Sequence, residues 1–376
     1  MKILHYIEGR CAPETANGVD KVVYYLSAAQ AGLGNEVVVL CESDKDVLPV
    51  PGVTVINTPR KRNCLKLSKD AIRILEEASP EVIHLHSAYI PTGISISRWA
   101  RRGNTPYVIS PHGNYSPELA KRRPVIKAVY NVLFEFPCAK GAKFVHSMGD
   151  EQAIRDFGFK GTIKTVPNGF DMGSVVAAPK PKNFDDRFPG SRGKKLILFI
   201  GRLDIEQKGI DLLIRGFAAA KADGVFLLIV GPDWQKGRER AEELAASSGL
   251  SDEEIGFWGS AFGEEKAGLL QAADYFIHPS RWEGFPMSVI EAMAYQKPCI
   301  VSSQADPQGI LAKLGISFPC EVSDEGVALG IAKALEATPE RREEIGRIAN
   351  QLVSDDFSWV QVATQMVDAY SAECSL

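Results

Sequence analysis

Short apolar runs alternate with amphipathic stretches along this chain, and the alternation starts twice. In the first half the runs cover 3–7, 36–40, 53–56, 82–85, 107–110, 142–146 and 163–166, with helical patterns such as 19–31 and 69–78 between them. Runs rich in Val, Ile, Leu and aromatic residues, with almost no polar alternation, describe strands covered on both faces. Such strands form parallel sheets whose crossovers are helices. The second half repeats the pattern with strands at 195–200, 226–230, 255–258, 275–278 and 299–303. Helices are expected over 209–222, 238–247, 264–272 and 287–295, two more within 324–352, and an amphipathic one over 357–370. Between the halves lies Pro167-Asn168-Gly169-Phe170-Asp171, followed by a stretch rich in Pro and Lys. Those residues mark a turn and a linker. The expectation is two doubly wound domains, 1–170 and 171–355, with a closing segment 356–376. Ligands of such sheets bind beyond the carboxyl ends of the strands, where the strand order reverses. With two such domains facing each other, the cleft between them is the expected site.

Length agrees, since 376 residues exceed what one core usually organises. A composition of 45% hydrophobic and 24% charged residues excludes wholesale disorder. No apolar run reaches the roughly 18 residues of a membrane span. The start, MKILHYIEGR, lacks the apolar core of a signal peptide. The seven cysteines are scattered and form no CxxC, which argues against a disulfide framework or a zinc ribbon. A cytoplasmic, reduced protein is expected. The net charge of −4 divides into +6 over 1–170 and −10 over 171–376. A basic half suits an anionic partner, although two halves can also differ by chance.

Several chemistries are excluded by absent motifs. No GxGxxG follows a strand, no GK precedes Ser or Thr, and neither GxSxG nor HExxH occurs. Asp44-Lys45-Asp46 offers a carboxylate pair for a metal, but three residues in a polar loop are a weak signal.

The strongest positive signal is Ser280-Arg281-Trp282-Glu283-Gly284-Phe285-Pro286-Met287-Ser288-Val289-Ile290-Glu291-Ala292, directly after a strand. Pro286 suits the first turn of a helix, which leaves Glu283 in the loop and Glu291 in the second turn. A helix amino terminus between two carboxylates favours phosphate. The layout fits a nucleotide-sugar: one carboxylate for sugar hydroxyls, amides for the diphosphate and one carboxylate for the ribose. Two glutamates on a surface loop and helix are the plain alternative. The second signal, Gly201-Arg202-Leu203-Asp204-Ile205-Glu206-Gln207-Lys208-Gly209, follows the first strand of the second half. Arg202 and Lys208, read as an uncompensated cationic pair, suit a diphosphate held without metal. Ordinary surface charge paired with Asp204 and Glu206 is the alternative.

With Asn17-Gly18-Val19-Asp20, Pro111-His112-Gly113, Val166-Pro167-Asn168-Gly169 and Phe257-Trp258-Gly259, these segments resemble the retaining glycosyltransferases of family 4. That resemblance implies an α/β GT-B fold of two facing Rossmann-like domains with an interdomain cleft. The N-terminal domain would bind acceptor, the C-terminal domain nucleotide-sugar, and the last helix would cross back to the first domain. Catalytic roles would fall to His112, Glu283, Arg202 and Lys208. Donor contacts would come from Gly18, Arg202, Lys208, Trp258, Glu283, Gly284, Phe285, Met287, Ser288 and Glu291. Trp258 would lie near the base, with Phe257 packed in the core. No metal or other cofactor is expected. The donor would be a UDP-sugar by preference, or a GDP-sugar, and the acceptor a saccharide or lipid-linked glycan. Two departures stand out: the first loop carries one glycine where the family often has two, and Pro286 replaces a second glycine.

The basic residues Arg60-Lys61-Arg62, Arg98, Arg101-Arg102 and Lys121-Arg122-Arg123 lie in the first half. The stretch 119–136 reads as a helix with a basic start and an apolar body. Such a helix can rest on the inner face of an anionic membrane or pack in a core with its start solvated. Nucleic acid is not an expected partner. Two other readings stay open: a GT-B epimerase or phosphorylase, and a non-catalytic nucleotide-sugar-binding protein.

Overall fold

The computed structural model describes residues 1–13, 18–60, 66–115 and 124–374. The chain forms two compact units, one of residues 1–169 with 357–376 and the other of residues 170–356. The first contains β1 (Lys2–Ile7), β2 (Glu36–Glu42), β3 (Val53–Thr58), β4 (Val82–His86), β5 (Tyr107–Ser110), β6 (Val145–Ser147) and β7 (Ile163–Thr165). They form a seven-stranded sheet in the order β3-β2-β1-β4-β5-β6-β7, and every pairing is parallel. The second contains β8 (Lys195–Ile200), β9 (Val225–Val230), β10 (Ile255–Gly259), β11 (Tyr275–His278), β12 (Cys299–Val301) and β13 (Phe318–Pro319), in the order β10-β9-β8-β11-β12-β13, again all parallel. The strand order reverses beside β1 and β4 in one sheet and beside β8 and β11 in the other. The loops after those strands therefore border the two crevices where ligands of such sheets bind.

Burial explains the strand composition. Every residue of β9 and β4 is buried, including His84 and His86. The helix Lys69–Ala78 matches its sequence signals: Ser68 accepts the Ala71 amide at its start, and Ser79 closes it in the left-handed region. Short pieces escaped sequence reading, among them the helix Pro91–Arg102 and β13 with its two residues. The first had a signal in Pro91 at its first turn and Arg101 and Arg102 in its last.

The last helix, Trp359–Cys374, belongs to the first unit. It packs against the helix Gly18–Gly32 and buries Met366 and Tyr370 against Phe144, Val108 and Val166. Trp359 stacks on Tyr25 with centroids 5.6 Å apart, and a Cβ at Gly169 would lie 2.3 Å from the Trp359 ring. A side chain at Gly169 would push this helix away.

The stretch expected as one helix over 119–136 is broken into the helix Pro124–Tyr130, a π-turn Asn131–Glu135 and the helix Phe136–Gly141. One face of its body packs on the core, with Tyr130 and Phe134 against the cluster that contains Cys138, and the other face is open. Val125 (76% exposed), Ile126, Val129, Val132 (63%), Leu133 and Phe136 all face solvent. Their spacing of one, three, three, one and three residues draws one stripe down a helical surface. Lys121, Arg122 and Arg123, the expected basic start, lie outside the described residues, as do Lys61, Arg62 and Asn17. No helix among the described residues is long and apolar enough to cross a membrane.

Candidate active site

Two loops of the second unit meet beside the reversal in strand order. The loop after β8 runs from Gly201 to Gly209, and the loop after β11 from Pro279 to Pro286. Gly209 makes the meeting possible. Its φ is +63°, and a Cβ there would lie 2.2 Å from the Pro279 carbonyl oxygen. The Arg281 amide donates to the Gln207 carbonyl at 2.9 Å. The Arg281 guanidinium grips Asp211 with two bonds of 2.7 Å, and Arg215 adds a third at 3.0 Å. Burial alone would push the Asp211 carboxyl up. The two guanidinium groups outweigh it and hold that carboxyl below its ordinary range.

This bracing places Lys208 against Glu283, with Nζ 2.6 Å from Oε1. The same oxygen accepts the Ser280 hydroxyl at 2.6 Å and His278 Nε2 at 2.9 Å. The carboxylate side chain is 6% exposed and the lysine 16%. Burial would raise the Glu283 pKa, but the His278 hydrogen bond and the Lys208 charge prevail and hold it at about 2. Glu283 is therefore a fixed anion. Among the described residues its Oε2 accepts no hydrogen bond, so one oxygen is anchored and the other is available. His278 is buried, stacked on Phe199 at 5.3 Å, and its pKa is lowered by that burial. As a neutral ring donating from Nε2 to a carboxylate, it keeps a lone pair on Nδ1, which lies 3.4 Å from the Ser288 hydroxyl. His278 carries no signal in the sequence beyond its place at the end of a strand, and Ser280 stands at the head of the motif without an expected role.

Arg202 and Lys208 are not an uncompensated pair. Lys208 is paired with Glu283, and Arg202 with Asp204 at 3.8 Å, while also donating to Gln207 at 3.0 Å and lying over the Trp234 ring at 4.4 Å. Asp204 is more than a surface neighbour, because it accepts the Gln207 amide at 3.2 Å and shapes the loop. Pro286 sits just before the helix Met287–Ala294, with φ −82° and ψ 72°, and the Met287 amide donates to the Phe285 carbonyl at 2.9 Å. That is an inverse γ-turn, and it engages the Met287 amide expected to meet phosphate. Phe285 is buried, Gly284 and Ser288 are half-buried, and Met287 is exposed. Glu291 stands in the second turn of the helix as expected, with Oε1 2.6 Å from Lys266 Nζ.

The aromatic pair on β10 is arranged the other way round from expectation. Trp258 is 4% exposed and packs against Phe184 and Phe188, whereas Phe257 is half-buried under the Arg238 guanidinium. A strand's side chains alternate, and the core took the larger ring. Asp44 is spent on the Arg60 amide at 3.1 Å.

Gly18 and His112 belong to the first unit. Gly18 opens its helix with nothing within 4 Å of a built Cβ. His112 follows β5 in the left-handed region, with φ 52°, and Gly113 continues there with φ 76°. Backbone strain of this kind persists where surroundings over-determine it.

The family model described as "Glycosyl transferases group 1" matches residues 182–352, and the one described as "Glycosyltransferase Family 4" matches residues 16–173. A phosphatidyl-myo-inositol mannosyltransferase of Mycobacterium leprae is 26% identical over 371 residues, covering 95% of this chain and 93% of its own. A UDP-Gal:alpha-D-GlcNAc-diphosphoundecaprenol alpha-1,3-galactosyltransferase of Escherichia coli is also 26% identical, over 61% of this chain and 60% of its own length. Among solved structures, a sucrose-phosphate synthase from Thermosynechococcus elongatus superposes with a TM-score of 0.75 at 20% identity, covering 99% of both chains. An Anabaena HepE structure in complex with UDP and glucose gives 0.70 at 18% identity, covering 99% of this chain and 100% of the other.

Proposed function

The chain belongs to the family 4 glycosyltransferases, with two parallel-sheet α/β domains of the GT-B type, and from that premise we propose that it moves a sugar from a nucleotide diphosphate to a hydroxyl with retention at the anomeric carbon. The observation that carries this reading is the Lys208–Glu283 pair, a cation and a permanently ionised carboxylate at the carboxyl edge of a parallel sheet. Glu283 Oε2 takes a sugar hydroxyl. Lys208, with three N–H donors, serves Glu283 and the departing diphosphate together. Arg202 supplies the second positive charge. Both stabilise charge that grows as the glycosidic bond to phosphate breaks. The β-phosphate itself takes the proton of the incoming hydroxyl. Glu291 holds the ribose, and His112 of the first unit meets a hydroxyl of the transferred sugar. A UDP-sugar is the favoured donor and a GDP-sugar the second choice.

The acceptor is proposed to be a glycan or a lipid-linked glycan at a membrane surface. The exposed stripe Val125, Ile126, Val129, Val132, Leu133 and Phe136 supports this, because an apolar helix face of this kind binds the headgroup boundary. The mannosyltransferase and galactosyltransferase relatives carry lipid acceptors in their names.

A panel of nucleotide-sugars screened by calorimetry with excess chelator, followed by product analysis, tests the proposal. A sugar appearing on an acceptor without metal supports it. Loss of most activity, restored by magnesium or manganese, removes the metal-free part. Nucleotide release with an epimerised sugar and no acceptor replaces transfer by epimerisation.

A further inference from the structure

Five of the six histidines lie in the first unit and form one unbroken set of contacts. His112 Nε2 is 3.0 Å from His86 Nδ1, His86 Nε2 is 2.9 Å from His5 Nδ1, and His5 Nε2 is 2.6 Å from Gln30 Oε1. Gln30 Nε2 lies 3.5 Å from the Tyr370 hydroxyl, which is 2.6 Å from His84 Nδ1. His84 Nε2 then meets the Ser110 hydroxyl at 2.6 Å, Ser110 meets His146 Nδ1 at 2.5 Å, and His146 Nε2 meets the Val166 carbonyl at 2.7 Å.

The last of these partners fixes all the others. A backbone carbonyl only accepts, so His146 carries its proton on Nε2 and accepts at Nδ1. Ser110 must then donate to His146 and accept from His84 Nε2. His84 accepts at Nδ1 from Tyr370, whose oxygen accepts from the Gln30 amide nitrogen. The Gln30 oxygen is thereby turned to His5, which donates from Nε2 and accepts from His86, which accepts from His112. Each ring has one donor and one acceptor, and in the four buried rings both are used, which leaves only the Nδ1 acceptor of His112 outside the wire. His5, His84, His86 and His146 are buried, and His112 alone of the five keeps exposed surface.

We propose that this is one directed hydrogen-bond wire, anchored at the Val166 carbonyl, which holds His112 as the Nε2–H tautomer and presents its Nδ1 lone pair to a donated sugar hydroxyl. Ser110, Tyr370 and the four buried histidines are then positioning residues for His112. The second half of the proposal rests on the reading that His112 meets the sugar. Burial pushes His5 and His146 down to about 4, consistent with rings that stay neutral. His5, His84 and His86 also place ring nitrogens within 4.8 Å of one another, a spacing that could hold a metal. In the wire both nitrogens of each ring are already committed.

Long-range proton–nitrogen correlation on protein labelled with 15N-histidine reads the tautomers directly. All five rings are expected as neutral Nε2–H forms at pH 7.5, and a charged or Nδ1–H ring among them overturns the wire. So does zinc, if one equivalent removes the Nε2–H pattern of His5, His84 and His86. Ser110→Ala cuts the link to the anchor. It should give mixed tautomers at His112, His86 and His5, and Ser110→Thr should restore the single form. Unchanged tautomers in Ser110→Ala mean that each ring is fixed locally, and the wire fails. Turnover on the best donor of the panel should fall roughly threefold to tenfold in Ser110→Ala with donor KM unchanged, and recover in Ser110→Thr. If the tautomers behave as expected but His112→Ala keeps full turnover, the wire stands and the assignment of His112 to the sugar is wrong.

Discussion

Glu283 and Glu291 lie eight positions apart, and their surroundings give them different expected phenotypes. Glu283 accepts from Lys208, His278 and Ser280 through one oxygen, whereas Glu291 has a single ion pair to a more exposed lysine. Glu283→Gln keeps the shape and removes the charge, so turnover should drop while free nucleotide still binds. Glu291→Ala should mainly weaken nucleotide and donor binding, since ribose does not change in the reaction. Calorimetry with the free nucleotide separates the two, and affinity lost only in the Glu283 variant would reverse the assignment. Lys208→Ala is expected to cut turnover by about two to three orders of magnitude, the usual effect of losing a donor to growing negative charge. Asp204→Ala loosens the Gln207 turn and should cost about 1 kcal/mol of stability with a smaller kinetic effect. Equal turnover in these two variants would remove Lys208 from the diphosphate.

At the scale of elements, one loop contact and one helix face matter most. Gly209→Ala places a methyl group 2.2 Å from the Pro279 carbonyl at a φ of +63°. The loops must separate, and Lys208 moves away from Glu283. A lower melting temperature together with a turnover loss resembling that of Lys208→Ala is expected. A variant with normal kinetics would show that the loop contact does not position the lysine. The helix face is tested by Val129→Asp with Leu133→Asp, two exposed positions on the stripe. Flotation with anionic vesicles should fall, while transfer to a soluble acceptor analogue stays near normal. If the unaltered protein does not float at low salt, a soluble acceptor becomes the better proposal.

For the whole molecule the histidines dominate the response to acid. Burial lowers all six: His5 and His146 to about 4, His112 to about 3, and His84, His86 and His278 below the ordinary imidazole range. A base with a depressed pKa in the folded state takes up its proton only on unfolding, so stability is full above about 6.5 and falls as pH drops toward 4. Glu135, Asp150 and Asp306 are raised by burial and pull the other way in the same window. The depressed rings outnumber the raised carboxyls, and Asp211 and Glu283, held low by their partners, also lose stability as pH falls, so acidification is destabilising on balance. The melting temperature should fall steadily below about pH 6.5. Melting temperature measured from pH 8 to 4 checks this. A flat profile down to pH 5 would mean that the rings are charged in the folded protein.

The sequence by itself determined that both halves carry parallel sheets and placed every strand but β13. A strand covered on both faces must be apolar throughout, and that pattern needs no partner to be legible. It also placed Arg202, Lys208, Glu283 and Glu291 at strand ends and helix starts, because strand ends are local features. Local pattern could not say which charges neutralise each other. The Lys208–Glu283 pair spans 75 positions and needs two loops to touch, which Gly209 permits and the Arg281–Asp211 pair braces. Nor could it say which side of an apolar stretch is covered: the run after Pro124 suits a core helix or a membrane-surface helix equally, and the fold packs Tyr130 and Phe134 inward while leaving the stripe from Val125 to Phe136 in solvent. Trp258 and Phe257 exchanged their expected places because strand alternation and the available core volume decided burial. The histidine wire was the least legible of all. Its members lie at 5, 84, 86, 112 and 146, joined through Gln30, Ser110 and Tyr370. Only a folded sheet with the last helix laid on it brings those atoms within hydrogen-bonding distance.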